Sequence, residues 1–427
     1  MIPLTASIFR PPELSASAVV AVAATLTSLT LLKCIAFPGD YRVKTRDTPW
    51  IPSPRKTLLP QLSAYEIRAL PYPPDALPGA RDVETPYGSI RVYEWGPEDG
   101  ERVLLVHGIS TPIVALGNLA HELVGRGRRV MCFDLFGRGY SDAPLGARYD
   151  AQLYTTQMLL VLASSHLPWL SPPGFHLVGY SLGGGLSVAF TRYYPNLVRS
   201  LTLVASCGLI RPHHIGWRSW LYYSSGLLPE WLVQQLVRRR IRPQREVSEN
   251  VEQEVSGTDI VAAEARKEVL VNGDGDSNGG TGFDSAMISQ RWPGVTVSEV
   301  VRWQLDHHEG FVMAFLSTIR NAPIYAPQED WCALSVLLQE RRIDSTTAVD
   351  LSNKKVMEPG LCGGKVLLVL GEDDPVIVRH ETVEDAEAVL GADVLEVAVL
   401  PGGHELPITN SAGVAGTLEW FWRHREN

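Results

Sequence analysis

The chain has 427 residues, too many for one small domain and suited to two or three units, or to one α/β domain with a large insertion. Apolar residues make up 45% and charged residues 20%, so a sizeable core can be buried and wholesale disorder is excluded. With 38 Lys and Arg against 47 Asp and Glu, the net charge of −9 speaks against a nucleic-acid partner.

The charge is unevenly placed: residues 1–60 hold seven Lys/Arg and three Asp/Glu, so the acidic excess lies beyond them. From Leu14 to Leu32, nineteen residues run without a formal charge. A helix needs about 20 mostly apolar residues to cross a bilayer, so this run is just long enough. A retained transmembrane anchor over residues 1–37 is the favoured reading. A cleaved signal peptide and a buried or targeting helix are the alternatives. Arg10 followed by Glu13 makes a poor basic leader, and Lys33 sits where a small-residue cleavage site would lie. The flank Lys33, Arg42, Lys44 and Arg46 favours a cytosolic C-terminal side. The expectation is a single-pass protein of an endomembrane such as the endoplasmic reticulum, with its folded domain in the cytosol.

Residues 38–80 contain nine prolines, a density that no helix or central strand tolerates. This stretch is expected to be an extended linker or a belt on the domain surface, with ordered folding from about Asp82. Beyond it come strand-like runs at Ser89–Trp95, Arg102–Gly108, Arg128–Leu135, Gly174–Ser181, Val198–Ser206, Gly364–Gly371 and Asp393–Gly402. Several are continuously apolar, as strands buried on both faces of a parallel sheet must be. Helical segments separate them, among them Asn118–Gly125, Gly183–Tyr194 and the terminal Leu418–His424. The alternation predicts a mostly parallel, doubly wound α/β sheet made from residues 81–206 and 364–427.

Residues 207–363 interrupt that alternation and read as a mostly helical insertion. Within it, Asn272–Ser285 (NGDGDSNGGTGFDS) is dominated by Gly, Asp and Asn and is expected to be a mobile, disordered surface loop. A second stretch holds Trp217, Trp220, Leu221, Leu227, Leu228, Trp231, Leu232 and Leu236, and ends in Arg238, Arg239, Arg240 and Arg242. It suits a helix pair over an apolar pocket, or an interfacial helix with a basic edge. The five cysteines show neither a paired framework nor metal-ligand spacing, so no disulfide and no metal is expected.

Gly179-Tyr180-Ser181-Leu182-Gly183 has the form G-x-S-x-G, with a strand running in and a helix running out. A serine on so tight a turn adopts a strained backbone and needs tiny neighbours two residues away on each side, which Gly179 and Gly183 supply. Its hydroxyl requires a base and a third group to orient that base. Among eleven histidines, His404 in LPGGHELP stands out, on a Gly-flexed loop after the last strand. Asp373 and Asp374 follow the strand before it, where such sheets build their sites.

Taken together, these segments resemble the α/β-hydrolase superfamily, in its capped lipase- and esterase-like branch. His107-Gly108 resembles the HG after the third strand, and Phe133–Asp142 (FDLFGRGYSD) the D-x-x-G-x-G-x-S block. GYSLG corresponds to the nucleophile elbow, GEDDPV to the acid loop and GGH to the histidine loop. The resemblance covers about residues 82–206 and 364–424 and implies a catalytic set of Ser181, His404 and Asp374, the acid falling three residues after the loop glycine. It also implies an oxyanion hole from the backbone N–H groups of Ile109 and Leu182, and a helical cap, with His307–Pro323 as the helix that closes it. No cofactor is implied. Serine rather than aspartate as nucleophile argues against epoxide hydrolases and haloalkane dehalogenases. HGIS lacks the proline associated with perhydrolases. The H-x4-D spacing of some acyltransferase relatives is absent after His404, and His380 with Asp385 shows it only on an expected surface helix.

The expectation is a serine hydrolase of carboxylic esters (EC 3.1.1) acting on a lipid or other hydrophobic acyl substrate. Thioesterase, amidase or acyltransferase chemistry with the same triad is the alternative. A non-catalytic interaction protein is the remote one.

Overall fold

The computed structural model describes residues 48–212, 223, 228–243, 281–290, 293–325, 329–347 and 361–424. The run Leu14–Leu32 lies outside these residues, as do Trp217, Trp220, Leu221, Leu227 and residues 272–280. Among the described residues no helix is long and apolar enough to cross a membrane. The chain divides into two units, Met1–Thr48 and Pro49–Asn427, and the sheet belongs to the second.

Ten strands are present among the described residues: β1 (Trp50–Ile51), β2 (Ala80–Thr85), β3 (Gly88–Trp95), β4 (Arg102–Val106), β5 (Arg129–Phe133), β6 (Ala143–Pro144), β7 (Phe175–Tyr180), β8 (Val198–Val204), β9 (Val366–Gly371) and β10 (Leu395–Leu400). Eight form one sheet in the order β10-β9-β8-β7-β4-β5-β3-β2. From β10 through β5 every pairing is parallel, and β3 and β2 close the edge antiparallel. Every residue of β5, β7 and β9 is buried, which accounts for their lack of polar alternation. Chain order reverses beside β4, so the loops leaving β4, β7, β9 and β10 gather at one end of the sheet, as in other open α/β sheets.

The proline-rich stretch departs from expectation. In the second unit, ordered elements are already present ahead of Asp82: β1 pairs antiparallel with β6, and short helices span Pro54–Thr57 and Ala64–Arg68. Proline is tolerated in the first helical turn, where its missing N–H has no intrahelical partner in any case. Ser63 and Glu66 cap the second helix reciprocally. The belt is clamped from inside. Asp142, whose side chain is fully buried, accepts from the backbone N–H of Ser53 (2.8 Å), that of Ser89 (2.8 Å) and Lys56 Nζ (2.8 Å). Tyr72 is fully buried, its hydroxyl 2.9 Å from that of Tyr93.

The insertion between β8 and β9 is shorter than residues 207–363. Helix Glu329–Thr347 packs against the core helices Leu182–Tyr193 and Arg379–Leu390, with Asp330 accepting from Arg192 at 2.7 Å. It is the crossover helix that two parallel neighbours such as β8 and β9 require. The remaining described helices of the insertion are Glu230–Arg240, Thr281–Ser285, Val297–His307 and Phe311–Asn321. The last sits directly on the loop after β5: a Cβ added to Gly137 (φ +73°) would lie 2.3 Å from the Ala314 Cβ. The predicted mobile loop is also corrected at its end. Thr281–Ser285 is a helical turn, and Phe283 is buried.

Candidate active site

Ser181 occupies the turn between β7 and helix Leu182–Tyr193, with φ 53° and ψ −119°. A non-glycine residue held there costs about 1–3 kcal/mol and persists only if the surroundings impose it. Here they do. The Ser181 N–H donates to Val204 O at 3.0 Å, and its carbonyl accepts from Gly184 (2.9 Å) and Cys207 (2.9 Å). A Cβ on Gly179 would stand 2.3 Å from Gly183 O, and one on Gly183 2.2 Å from Val106 O, so both positions flanking the serine exclude a side chain.

His404 enters from the loop after β10, its Nε2 3.1 Å from Ser181 Oγ and its Nδ1 3.0 Å from Asp374 Oδ2. Tyr180 donates its hydroxyl to His404 O at 2.7 Å and fixes the loop. The other carboxylate oxygen of Asp374 accepts from the N–H groups of Val376 (2.8 Å) and Ile377 (2.9 Å). Burial alone would raise this carboxyl, 1% exposed, but His404 and the two backbone donors outweigh burial and hold it below the ordinary carboxylate range. An ionised Asp374 only accepts, so His404 Nδ1 carries the proton it donates. Nε2 is then left free to accept from the serine hydroxyl. Asp373, next to it, is exposed and joins the structure through its backbone N–H to Gly402 O.

The N–H of Leu182 is the first of its helix, where donors lack intrahelical acceptors and the dipole is positive. Opposite it, the chain leaving β4 passes so close to the serine that a Cβ on Gly108 would be 3.3 Å from the Ser181 Cβ. Ile109 follows and lines the same cavity as Leu182. His107 is no base: it is fully buried, and burial drives its pKa down to about 3. Its Nε2 accepts from Leu135 N–H (2.9 Å) while Nδ1–H donates to Gly108 O (2.7 Å). His380 and Asp385 lie on helix Arg379–Leu390, and Asp385 is paired with Arg211 at 2.9 Å, away from this cluster.

A cavity of about 70 Å³ opens above Ser181, its far walls formed by Ile210, Phe283, Phe315, Ile319, Ile324 and Tyr325. Phe283 also lies beside His404, ring centroids 5.9 Å apart and tilted by 52°. Sequence reasoning assigned Phe283 to a polar loop; the one large apolar residue in a Gly/Asp tract was the available signal. Cys207 completes the floor, Sγ 3.8 Å from Ser181 Oγ, its thiol pushed up to about 12 by burial. Among the described residues no group of His, Cys, Asp and Glu is arranged to hold a metal.

With this geometry, the comparisons with known proteins agree on the class. Residues 101–411 match the model of the alpha/beta hydrolase fold family, and the chain belongs to that family. The chain is similar to 2-hydroxymuconate semialdehyde hydrolase of Pseudomonas sp. (strain CF600), 30% identical over 115 residues, 26% of this chain and 39% of that protein. It is also similar to Lipase 1 of Psychrobacter immobilis, 34% identical over 122 residues, 28% of this chain and 37% of the relative. The match thus spans well under half the length of these curated relatives. Among solved structures, a bacterial membrane phospholipase A superposes with a TM-score of 0.52 at 17% identity, covering 95% of this chain and 99% of that one. At that identity the likeness speaks for the fold. The protein is a hydrolase-family member.

Proposed function

We propose that this protein is a serine hydrolase that cleaves carboxylic esters of hydrophobic acyl groups through an acyl-enzyme. The observation that carries the reading is the unbroken chain Ser181 Oγ, His404, Asp374, with contacts of 3.1 and 3.0 Å, at the base of an apolar cavity. Ser181 attacks the ester carbonyl as His404 Nε2 takes its proton. Asp374 keeps the imidazole in the accepting tautomer and stabilises the imidazolium that forms. The N–H groups of Leu182 and Ile109 receive the negative charge that develops on the carbonyl oxygen. His404 then returns the proton to the leaving alkoxide, and water repeats the sequence to release the acid and restore the serine.

The aliphatic and aromatic walls support a neutral, apolar acyl group over a charged one. At about 70 Å³ the cavity is well below the roughly 300 Å³ of a site for a drug-sized ligand, so a long chain requires the cap wall to shift. A p-nitrophenyl ester panel tests this. Butyrate and hexanoate should be turned over fastest, palmitate at least about tenfold more slowly, and Ser181→Ala should turn over none. Equal rates on an ester and on the matching thioester or amide would move the reading to the alternative with the same triad.

The uncharged run Leu14–Leu32 supports a single-pass anchor in an endomembrane such as the endoplasmic reticulum, with the hydrolase domain cytosolic. Full-length protein should then remain in the membrane pellet after a carbonate wash, and a chain starting at Pro38 should be released. Complete release of the full-length protein would reject the anchor.

A further inference from the structure

Among the buried side chains of the loop after β5 is a cation, Arg138, which meets the cap helix Phe311–Asn321. Its residue is fully buried, yet among the described residues no carboxylate lies within salt-bridge distance of it. A buried guanidinium normally has a counter-ion, because an unpaired charge in the interior costs several kcal/mol. Only neutral groups surround this one. Nε donates to Ile109 O (3.0 Å), Nη1 to Phe136 O (3.0 Å) and to the Tyr154 hydroxyl (3.4 Å), and Nη2 to Thr318 Oγ1 (3.1 Å). The Phe311 ring lies 5.9 Å from the guanidinium carbon. Two of these partners bear on the site. Ile109 lines the cavity beside Ser181, and Thr318 stands on the cap helix between Phe315 and Ile319, which wall that cavity.

We infer that Arg138 is a positioning residue for the oxyanion hole, joining the Ile109 loop to the cap helix Phe311–Asn321 and placing an uncompensated positive charge behind the carbonyl oxygen of the substrate. The inference rests on the ester-hydrolase reading and deepens it. Its physical logic is that a charge with no counter-ion in the free protein finds one when the tetrahedral intermediate forms. Fixed charge of that kind acts on the transition state and not on the neutral ester, because it requires no reorganisation as the oxyanion develops. The bond from Nε holds the Ile109 carbonyl, and with it the orientation of the oxyanion loop. The bond from Nη2 makes that orientation depend on the cap. Thr318 Oγ1 can accept it because its own proton is donated to Ala314 O (2.7 Å).

Arg138→Met removes fork and charge, Arg138→Lys keeps the charge and loses the Nε bond, and Thr318→Val cuts the link to the cap together with the Thr318 bonds to the Tyr154 hydroxyl and Ala314 O. Each is assayed for kcat and KM on p-nitrophenyl butyrate, for inhibition by n-butylboronic acid, which forms an anionic tetrahedral adduct on a serine, and for Tm. Losing one oxyanion donor costs about 100- to 1000-fold in turnover. Removing the support of a donor should cost less: about fiftyfold in kcat for Arg138→Met, about fivefold for Arg138→Lys and about threefold for Thr318→Val. KM should change less than about twofold, and boronate affinity should fall in step with kcat. A purely structural role would lower Tm and leave the kcat of the folded fraction unchanged. A folded Arg138→Met or Arg138→Lys protein with wild-type kcat overturns the inference. If the Met variant does not fold, the Lys variant decides alone. A wild-type protein that hydrolyses no ester would instead defeat the underlying reading, an outcome separable from any of these.

Discussion

Two buried carboxylates sit at the same end of the sheet and are treated in opposite ways. Asp374, after β9, faces His404 and two backbone N–H groups, which together overcome the effect of burial and keep it ionised. Asp134, after β5, is fully buried, and burial raises its pKa to about 6. It accepts from the N–H groups of Ile113 (2.9 Å) and Tyr140 (2.9 Å) and from the Tyr72 hydroxyl (3.1 Å), and these donors, with the more distant charge of Arg91, offset only part of the burial effect. The difference is the partner. A carboxylate beside an imidazole that becomes cationic can orient a base; one among tyrosines and amides ties loops together. Asp134 does the latter, joining the belt, the chain beyond Ile109 and the turn that carries Arg138.

The comparison breaks most readily at Asp374. Replacing the acid of such a triad lowers turnover by about 10⁴-fold in the best-studied protease. Asp374→Asn should fall by a comparable factor on p-nitrophenyl butyrate, and His404→Ala should lose activity altogether. Asp373→Asn, exposed on the same loop, should keep at least about a tenth of wild-type turnover. The reverse pattern would move the acid by one residue.

Removing the belt tests the structural side. A chain beginning at Asp82 loses Tyr72 and Lys56 and should fail to melt cooperatively, whereas one beginning at Thr48 should melt like the full chain. Lys56→Met alone should cost about 2 kcal/mol in chemical denaturation, because Asp142 keeps its two backbone donors but loses its cation.

The arrangement around Ser181 was legible because its demands are local. The glycines at 179 and 183, the apolar run before them and the helix after them leave the serine one conformation. His404 and the pair Asp373 and Asp374 followed from the ends of strands, and only the resemblance to the hydrolase family chose Asp374 within the pair. What escaped was set by tertiary contact. The helices of the belt were missed because its prolines weigh as breakers, although proline also starts helices, and Tyr72 is buried by distant partners: Tyr93 on β3, Asp134 after β5, Tyr140 and Trp303. Phe283 was hidden by its polar neighbours. Helix Glu329–Thr347 was absorbed into the cap because nothing in its own pattern says which face of the sheet it covers. The burial of Arg138 had no local signal, since its acceptors come from positions as distant as Thr318.

A smaller effect sharpens the comparison by pH. Because its folded-state pKa is raised, Asp134 holds its proton longer in the native state than in the unfolded chain. Its contribution is present in full below about pH 4 and is lost as pH rises through about 6. Asp134→Asn cannot titrate. Between about pH 4 and pH 7 the stability difference should therefore move by about 2 kcal/mol against wild type. Chemical denaturation of both proteins across that range measures it. A constant difference would mean that Asp134 is as ionised in the fold as outside it.

The proposed reaction requires Ser181, activated by His404, to be a nucleophile. A fluorophosphonate probe incubated with the full-length protein, followed by digestion and mass spectrometry, tests it most directly. One phosphonyl adduct is expected, on Ser181, absent in Ser181→Ala and slowed by at least about 100-fold in His404→Ala. An adduct on another residue, or labelling of Ser181→Ala at the wild-type rate, would contradict it.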